Sequence, residues 1–422
     1  MGFFYGMEIQ KLHQLFLSTT GISTDTRNIL KNSIFFALKG QNFNGNEFAE
    51  KAINNGAKFA VIDEKKYVTD SNYILVQDVL QTLQKLAHFH RKKLKCPVLG
   101  ITGTNGKTTS KELIHEVLKR KFKVHCTQGN LNNHIGVPLT ILNADLNTEF
   151  LIIEMGANHP KEIQFLCNIS DIDYGIITNI GKAHLEGFGS YEGIKKTKKE
   201  LYDFLQLKNG TVFVNTKDEL LMQLSEPLNR ILYSTQSQES DSPYASVSFQ
   251  NKLINSQLIG HYNIDNINAA CSIGHYFGVP LKDIQSAIES YTPKNNRSQL
   301  LKSAKNNSLI LDAYNANPSS MMEALKSFSR LKANHKLYIL GDMLELGSTS
   351  VQEHQSIINF LNANTNKVIL IGQEFGKCQH LFHHFQNTKQ AKEWINHQGL
   401  ENHFILIKGS RGIGLEDLID TL

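Results

Sequence analysis

The pattern of apolar and polar positions divides the chain into three stretches. In the first, up to about residue 95, short apolar runs such as Ser33–Leu38 (SIFFAL) and Phe59–Ile62 (FAVI) lie between Gly/Asn turns and read as strands. A Lys- and His-rich helix over about 79–93 closes this stretch. Cys96-Pro97 marks its boundary, because proline disfavours helix in the residue before it. From Pro97 the pattern becomes strand, glycine loop, helix. Val98–Thr102 is a buried strand, Gly103–Gly106 the loop, and the following helix carries Ile114, Val117 and Leu118 on one face. Further strands are expected over Phe150–Met155, Gly175–Thr178 and Thr211–Val214, and the Ser/Gln-rich segment 234–250 reads as a surface loop.

The third stretch begins near Gln299 and repeats the alternation, with strands over Ser308–Leu311, Lys336–Leu340, Lys367–Ile371 and Phe404–Ile407. Strands alternating with helices predict parallel sheets with crossover connections. The expected fold is therefore α/β in three domains: a small N-terminal α/β domain (1–95), a central P-loop ATPase domain with a mostly parallel sheet (96–298), and a C-terminal Rossmann-like domain (299–422). The last lacks the GxGxxG dinucleotide signature.

Composition narrows the function classes. The 422 residues are 41% hydrophobic and 20% charged, ordinary for a globular protein, and no stretch approaches the roughly 18 apolar residues of a membrane span. Met1–Leu17 has no basic start followed by an apolar run, so no export signal is expected. Five scattered cysteines without CxxC spacing predict reduced thiols and a cytoplasmic location. A net charge of +5 without a basic, aromatic-interleaved run predicts small anionic ligands and no nucleic-acid partner. A monomer is expected, and the His383-His384 pair reads as plain surface.

Candidate chemistry concentrates in Gly103-Thr104-Asn105-Gly106-Lys107-Thr108-Thr109, between a strand and a helix. Glycines let backbone N–H groups curl around phosphates at a helix N-terminus, where the dipole favours anions. Lys107 would then reach the β/γ-phosphates and Thr108 would hold Mg²⁺. The loop departs from GxxxxGK[ST], since Thr102 stands where the first glycine belongs. Glu154 ends an apolar strand, which puts a carboxylate beside that loop, and His184 follows another strand.

Together these segments resemble the Mur ligase family over the whole length. The resemblance rests on ITGTNGKTT (Ile101–Thr109), GNLNNHIGVP (Gly129–Pro138), Glu154-Met155-Gly156, NIGKAHLE (Asn179–Glu186), GHYNIDNINAA (Gly260–Ala270) and Arg297. The segments Ser23-Thr24-Asp25-Thr26-Arg27 with FFALKG (Phe35–Gly40), DAYNANPSSM (Asp312–Met321) and GDMLELG (Gly341–Gly347) resemble its dipeptide-adding branch. The DYAHTPD- and DNPR-type segments of the diaminopimelate- or lysine-adding branch do not occur, and folylpolyglutamate synthases lack this N-terminal domain.

The resemblance implies an ATP- and Mg²⁺-dependent amide ligase joining D-alanyl-D-alanine to UDP-N-acetylmuramoyl-tripeptide through an acyl phosphate. It implies nucleotide contacts from Gly103 to Thr109 and from Asn266, Arg297 and Asp312. It further implies substrate contacts from Ser23, Thr24 and Arg27, from Asn130, Asn132 and Asn133, from Tyr314, Asn315 and Asn317, and from Lys408 and Arg411. Catalytic roles fall to Lys107, Lys198, Glu154 and His184. Ile194, Lys198, Leu201 and Leu205 recur at helical spacing, which turns Lys198 inward. At the matching position the family carries a carbamylated lysine, which implies a metal set of Thr108, Glu154, His184 and Lys198 as its carbamate.

Overall fold

In the computed structural model, residues 8–234, 243–294, 296–365 and 367–422 are described. Among the described residues, three larger sheets follow one another along the chain, alongside two two-stranded ribbons. The first has four parallel strands in the order Ile22–Ser23, Ile34–Phe36, Phe59–Ile62, Tyr73–Leu75. Every residue of Ile34–Phe36 is buried, as in a parallel sheet covered on both faces, so the run is continuously apolar instead of alternating.

Helix Val79–Arg91 starts at Asp78, whose carboxylate accepts from the Gln81 N–H. Its stripe of Val79, Leu83, Leu86 and Ala87 shares one core with Val137, Ile141 and Leu166 of the next domain. Helix Ile9–Leu17, which the strand-oriented sequence reading did not anticipate, lies against it, and His13 meets His90 at 3.0 Å. His90 also bonds the Ala144 carbonyl, and Arg91 those of Ser170 and Asp171, so this helix ties the first domain to the second.

The central sheet has six parallel strands in the order Asn229–Tyr233, Thr211–Asn215, Tyr174–Ile177, Val98–Thr102, Phe150–Glu154, Val124–Cys126. Val98–Thr102 lies in the middle, all five residues buried. Its successors pair on opposite sides of it, which opens a crevice at its carboxyl end.

One expectation fails here. Within the segment read as a surface loop over 234–250, Tyr244–Phe249 is a strand, paired antiparallel with Lys252–Ile259. Ala245 and Val247 turn into the second core, and this apolar alternation outweighs the polar composition. Residues 235–242 of that segment lie outside the described residues.

The third sheet runs Gln299–Lys302, Ser308–Asp312, Phe404–Lys408, Lys336–Gly341, Val368–Ile371, His383–Phe385, the first strand antiparallel and the rest parallel. Both edge strands escaped the sequence reading. His383, expected as plain surface, is exposed but belongs to one of them. Among the described residues no helix is long and apolar enough to cross a membrane.

Candidate active site

The crevice after Val98–Thr102 opens into a cavity of about 840 Å³ between the central and C-terminal domains. The whole run from Gly103 to Thr109 lines it, at the start of helix Lys107–Leu118. Gly103 and Gly106 have φ of +143° and +79°, the left-handed half of backbone space that glycine tolerates. A Cβ on Gly103 would also meet Thr178 Oγ1 at 2.0 Å, and one on Gly106 would meet Asn266 Oδ1 at 2.5 Å. Both glycines are therefore required by backbone geometry and by packing.

No side chain caps this helix, so its first N–H groups face the cavity unpaired, where the dipole favours an anion. Thr178 Oγ1 and Asn179 Nδ2 both donate to the Asn105 carbonyl, and the Asn105 N–H donates to Asn179 Oδ1. The loop is thus held open by the end of the neighbouring strand.

Lys107 Nζ, partly exposed to the cavity, donates to the Gly103 and Thr104 carbonyls at 2.7 and 2.9 Å. Removal from bulk water pushes its pKa down to about 8, against Glu154 and with Arg297. Glu154 is 1% exposed. Asn132 Nδ2 donates to its Oε1 at 2.8 Å, while Oε2 has no hydrogen-bond partner and lies 3.8 Å from Lys111 Nζ.

Lys198 lies on helix Tyr191–Leu207 with Ile194, Leu201 and Leu205, all buried, so the helical spacing placed its side chain correctly. Burial pushes its pKa down to about 7, with Lys107 acting in the same direction and Glu200 and Glu162 opposing. Its Nζ lies 5.7 Å from the Phe188 ring centre. Burial lowers the His184 pKa, opposed chiefly by Glu345, a residue of the C-terminal domain whose carboxylate contacts Nδ1.

From the C-terminal side, Arg297 stacks on Tyr314 at 3.8 Å. Asp312 pairs with Lys408 at 2.5 Å, and Lys408 is 2% exposed. The lysine expected to grip substrate thus already has an anion, and it positions Asp312 at the cavity wall. Asn317 caps helix Pro318–Arg330 by accepting from the Ser320 N–H, and its Nδ2 donates to Asn105 Oδ1 at 2.8 Å. Asn105 Nδ2 in turn donates to Ser319 Oγ at 2.9 Å.

Asn132, Asn133, Asn266 and Asn315 also line this cavity. Asn130 and Arg411 line a second one of about 270 Å³, which shares Thr108, Arg297 and Tyr314 with the first. Ser23, Thr24 and Arg27 line neither. Ser23 Oγ bonds Ser33, and the exposed Arg27 is paired with Asp25.

The residues fit a hard divalent cation. Glu154 Oε2 is a buried oxygen without a hydrogen-bond partner, Thr108 and His184 line the same cavity, and Mg²⁺ typically uses one or two carboxylates plus substrate phosphates. Among the described residues no three His, Cys, Asp or Glu side chains converge as a metal cage.

Sequence profiles of three domains cover nearly all of this architecture: "Mur ligase family, catalytic domain" matches residues 18–97, "Mur ligase middle domain" 101–274, and "Mur ligase, glutamate ligase domain" 296–411. The chain belongs to the Mur ligase family. A UDP-N-acetylmuramoyl-tripeptide–D-alanyl-D-alanine ligase of Bacillus subtilis is 33% identical over 425 residues, covering 95% of this chain and 93% of the relative. The Buchnera aphidicola (Baizongia pistaciae) protein of the same name is 33% identical over 100% of this chain and 95% of its own. Among solved structures, the MurF ligase of Thermotoga maritima in complex with ADP superposes with a TM-score of 0.84 at 26% identity, covering 96% of this chain and 97% of that one.

Several residues at this Mur ligase site escaped the sequence reading. Lys111 had a usable signal: it follows Lys107 by one helical turn, and its 2% exposure calls for an anion. Asn179 and Ser319 sat inside quoted motifs without a role. Glu345 contacts a residue 161 positions earlier (345 − 184), and no local pattern announces that.

Proposed function

We propose that this chain joins D-alanyl-D-alanine to UDP-N-acetylmuramoyl-tripeptide at the expense of ATP. The observation that carries the reading is a single cavity whose walls combine an uncapped helix start and Lys107 with Glu154, His184 and Lys198 on one side and Asp312, Tyr314 and Asn317 on the other. The names of the full-length relatives support the same substrates.

The terminal carboxylate of the tripeptide attacks the γ-phosphorus of ATP. The bond to ADP breaks and an acyl phosphate forms. The amine of D-alanyl-D-alanine then attacks the acyl carbon, loses a proton, and expels phosphate. The chain contributes orientation and charge neutralisation. The free N–H groups of the helix start cradle the phosphates, and Lys107 exchanges its two carbonyl partners for phosphate oxygens. Arg297, held flat on Tyr314, faces the nucleotide with Asp312 available to a ribose hydroxyl. The interdomain bonds of Asn105 close the cavity and keep water from the acyl phosphate.

Mg²⁺ held by Thr108, Glu154 and His184 would neutralise phosphate charge. We further propose that Lys198 joins this set as a carbamate. Carbamylation needs a free amine, and burial supplies one near neutral pH by holding Lys198 at about 7. A carbamate also exchanges a buried cation for an anion facing Lys107. We propose a cytoplasmic location, a reading supported by the free cysteines, and a monomeric enzyme.

Phosphate release should require ATP, Mg²⁺, the UDP-tripeptide and D-alanyl-D-alanine together; equal turnover of a single amino acid on a dipeptide acceptor overturns the substrate reading. Lys198→Ala should be nearly inactive and partly rescued by acetate or propionate. Normal ligation by Lys198→Ala overturns the carbamate.

A further inference from the structure

The GDMLELG segment, Gly341–Gly347, forms no part of the cavity wall, yet it is built rigidly. Asp342, 3% exposed, accepts from the Glu374 and Phe375 N–H groups at 2.8 and 2.9 Å. The Met343 N–H donates to His354 Nε2, and the Leu344 N–H to Ser410 Oγ. Met343 and Leu346 are buried in the C-terminal core. Anchored on both sides, the segment turns at Glu345, a non-glycine residue with φ of +63°. Its carboxylate is thereby carried out of the C-terminal domain onto Nδ1 of His184.

His184 is itself at φ +50°, at the start of the short helix Leu185–Phe188. Two non-glycine residues in left-handed conformations thus face each other across the domain boundary, the kind of outlier that persists where the surroundings impose it. The contact is part of a wider abutment. A Cβ on Gly347 would sit 3.3 Å from Glu186 Cβ, and Lys182 pairs with Glu353 at 2.9 Å.

A ligating imidazole is usually held by a carboxylate on its other nitrogen, which fixes the ring and its tautomer. With the Glu345 carboxylate against Nδ1 as an ion-pair contact, without hydrogen-bond geometry, Nε2 is the nitrogen of His184 left for a ligand. We infer that Glu345 is a positioning residue for the reaction, supplied to the cation site of the central domain by the domain that follows it. The site is then complete only when the two domains touch, which makes phosphoryl transfer conditional on closure. This rests on the reading of His184 as a metal ligand.

The test uses the full-length protein with ADP and Mn²⁺ as the probe, read by electron paramagnetic resonance. Binding affinity and the nitrogen coupling of a ligating imidazole are both measured, with circular dichroism to confirm the fold. Glu345→Ala should weaken Mn²⁺ by ~10–100-fold and reduce the nitrogen coupling. Glu345→Gln, which keeps an acceptor oxygen, should recover part of both. Glu353→Ala, which breaks only the neighbouring ion pair, should leave both as in the parent. The inference is overturned if Glu345→Ala keeps the parent affinity and coupling, or if Glu353→Ala loses as much. His184→Ala separates the two readings: parent-like Mn²⁺ binding there removes His184 as a ligand altogether, whereas loss in His184→Ala with retention in Glu345→Ala removes only the positioning role.

Discussion

The phosphate-loop side of the cavity and the N-terminal domain use polar residues in opposite ways. Around the loop, polar groups are buried and left open to a ligand: Glu154 Oε2 has no hydrogen-bond partner, the helix start has no cap, and burial pushes the Lys198 pKa down to about 7. In the N-terminal domain two of the expected substrate contacts already have partners, Arg27 in Asp25 and Ser23 in Ser33. The first region keeps open positions for its ligand, with Lys107 exchanging backbone carbonyls for phosphate oxygens. The second must exchange partners to bind, so its contacts add little beyond what they replace.

The sharpest way to break this contrast is Lys107→Ala. Loss of one phosphate contact in the transition state should cost at least ~3 kcal/mol, on the order of a hundredfold in kcat, with the melting temperature unchanged. Near-normal turnover by a folded variant would mean that the loop does not cradle the transferring phosphoryl.

A smaller effect is expected where the N-terminal domain is fastened. Burial, with His90 and Lys93 adding to it, pushes the His13 pKa from 6.5 down to about 4. Between those values the unfolded chain holds more protons than the folded one. Stability is therefore full above pH 6.5, is lost as the pH falls through this window, and is level again below about 4. Thermal melts of His13→Gln across the same window should show a shallower decline than the parent. Identical slopes would mean that the pair is not what makes the junction acid-sensitive.

The smallest effect should come from Arg27→Ala. Steady-state kinetics should show a several-fold rise in KM for the UDP-tripeptide at unchanged kcat, the mark of a contact made equally in ground and transition states. A fall in kcat would erase the distinction between the two regions.

The same contrast governs what could be read from the residues alone. The loop was legible because its demands fall on neighbouring positions: two glycines, a lysine and a helix start in order. Central strands such as Val98–Thr102 and Phe150–Glu154 were legible because both faces are buried and the run is continuously apolar. Edge strands such as Val124–Cys126 and His383–Phe385 bury less and carry polar residues, so their periodicity is weak. The strand Tyr244–Phe249 was hidden by its serines, although Ala245 and Val247 alternate inward. Side-chain pairings between residues far apart in the chain, Asp312 with Lys408 on neighbouring strands of one sheet and His184 with Glu345 across domains, leave no local trace.

Asn317 divides its side chain between two tasks. The carbonyl end accepts from the Ser320 N–H and Ser319 Oγ and so finishes a helix, while the amide end reaches Asn105 in the neighbouring domain. The two ends can be released separately. When the domains part, the amide lets go and the helix keeps its cap, so no secondary structure has to melt for products to leave and substrates to enter. The cleft can then work as a clasp between solid bodies.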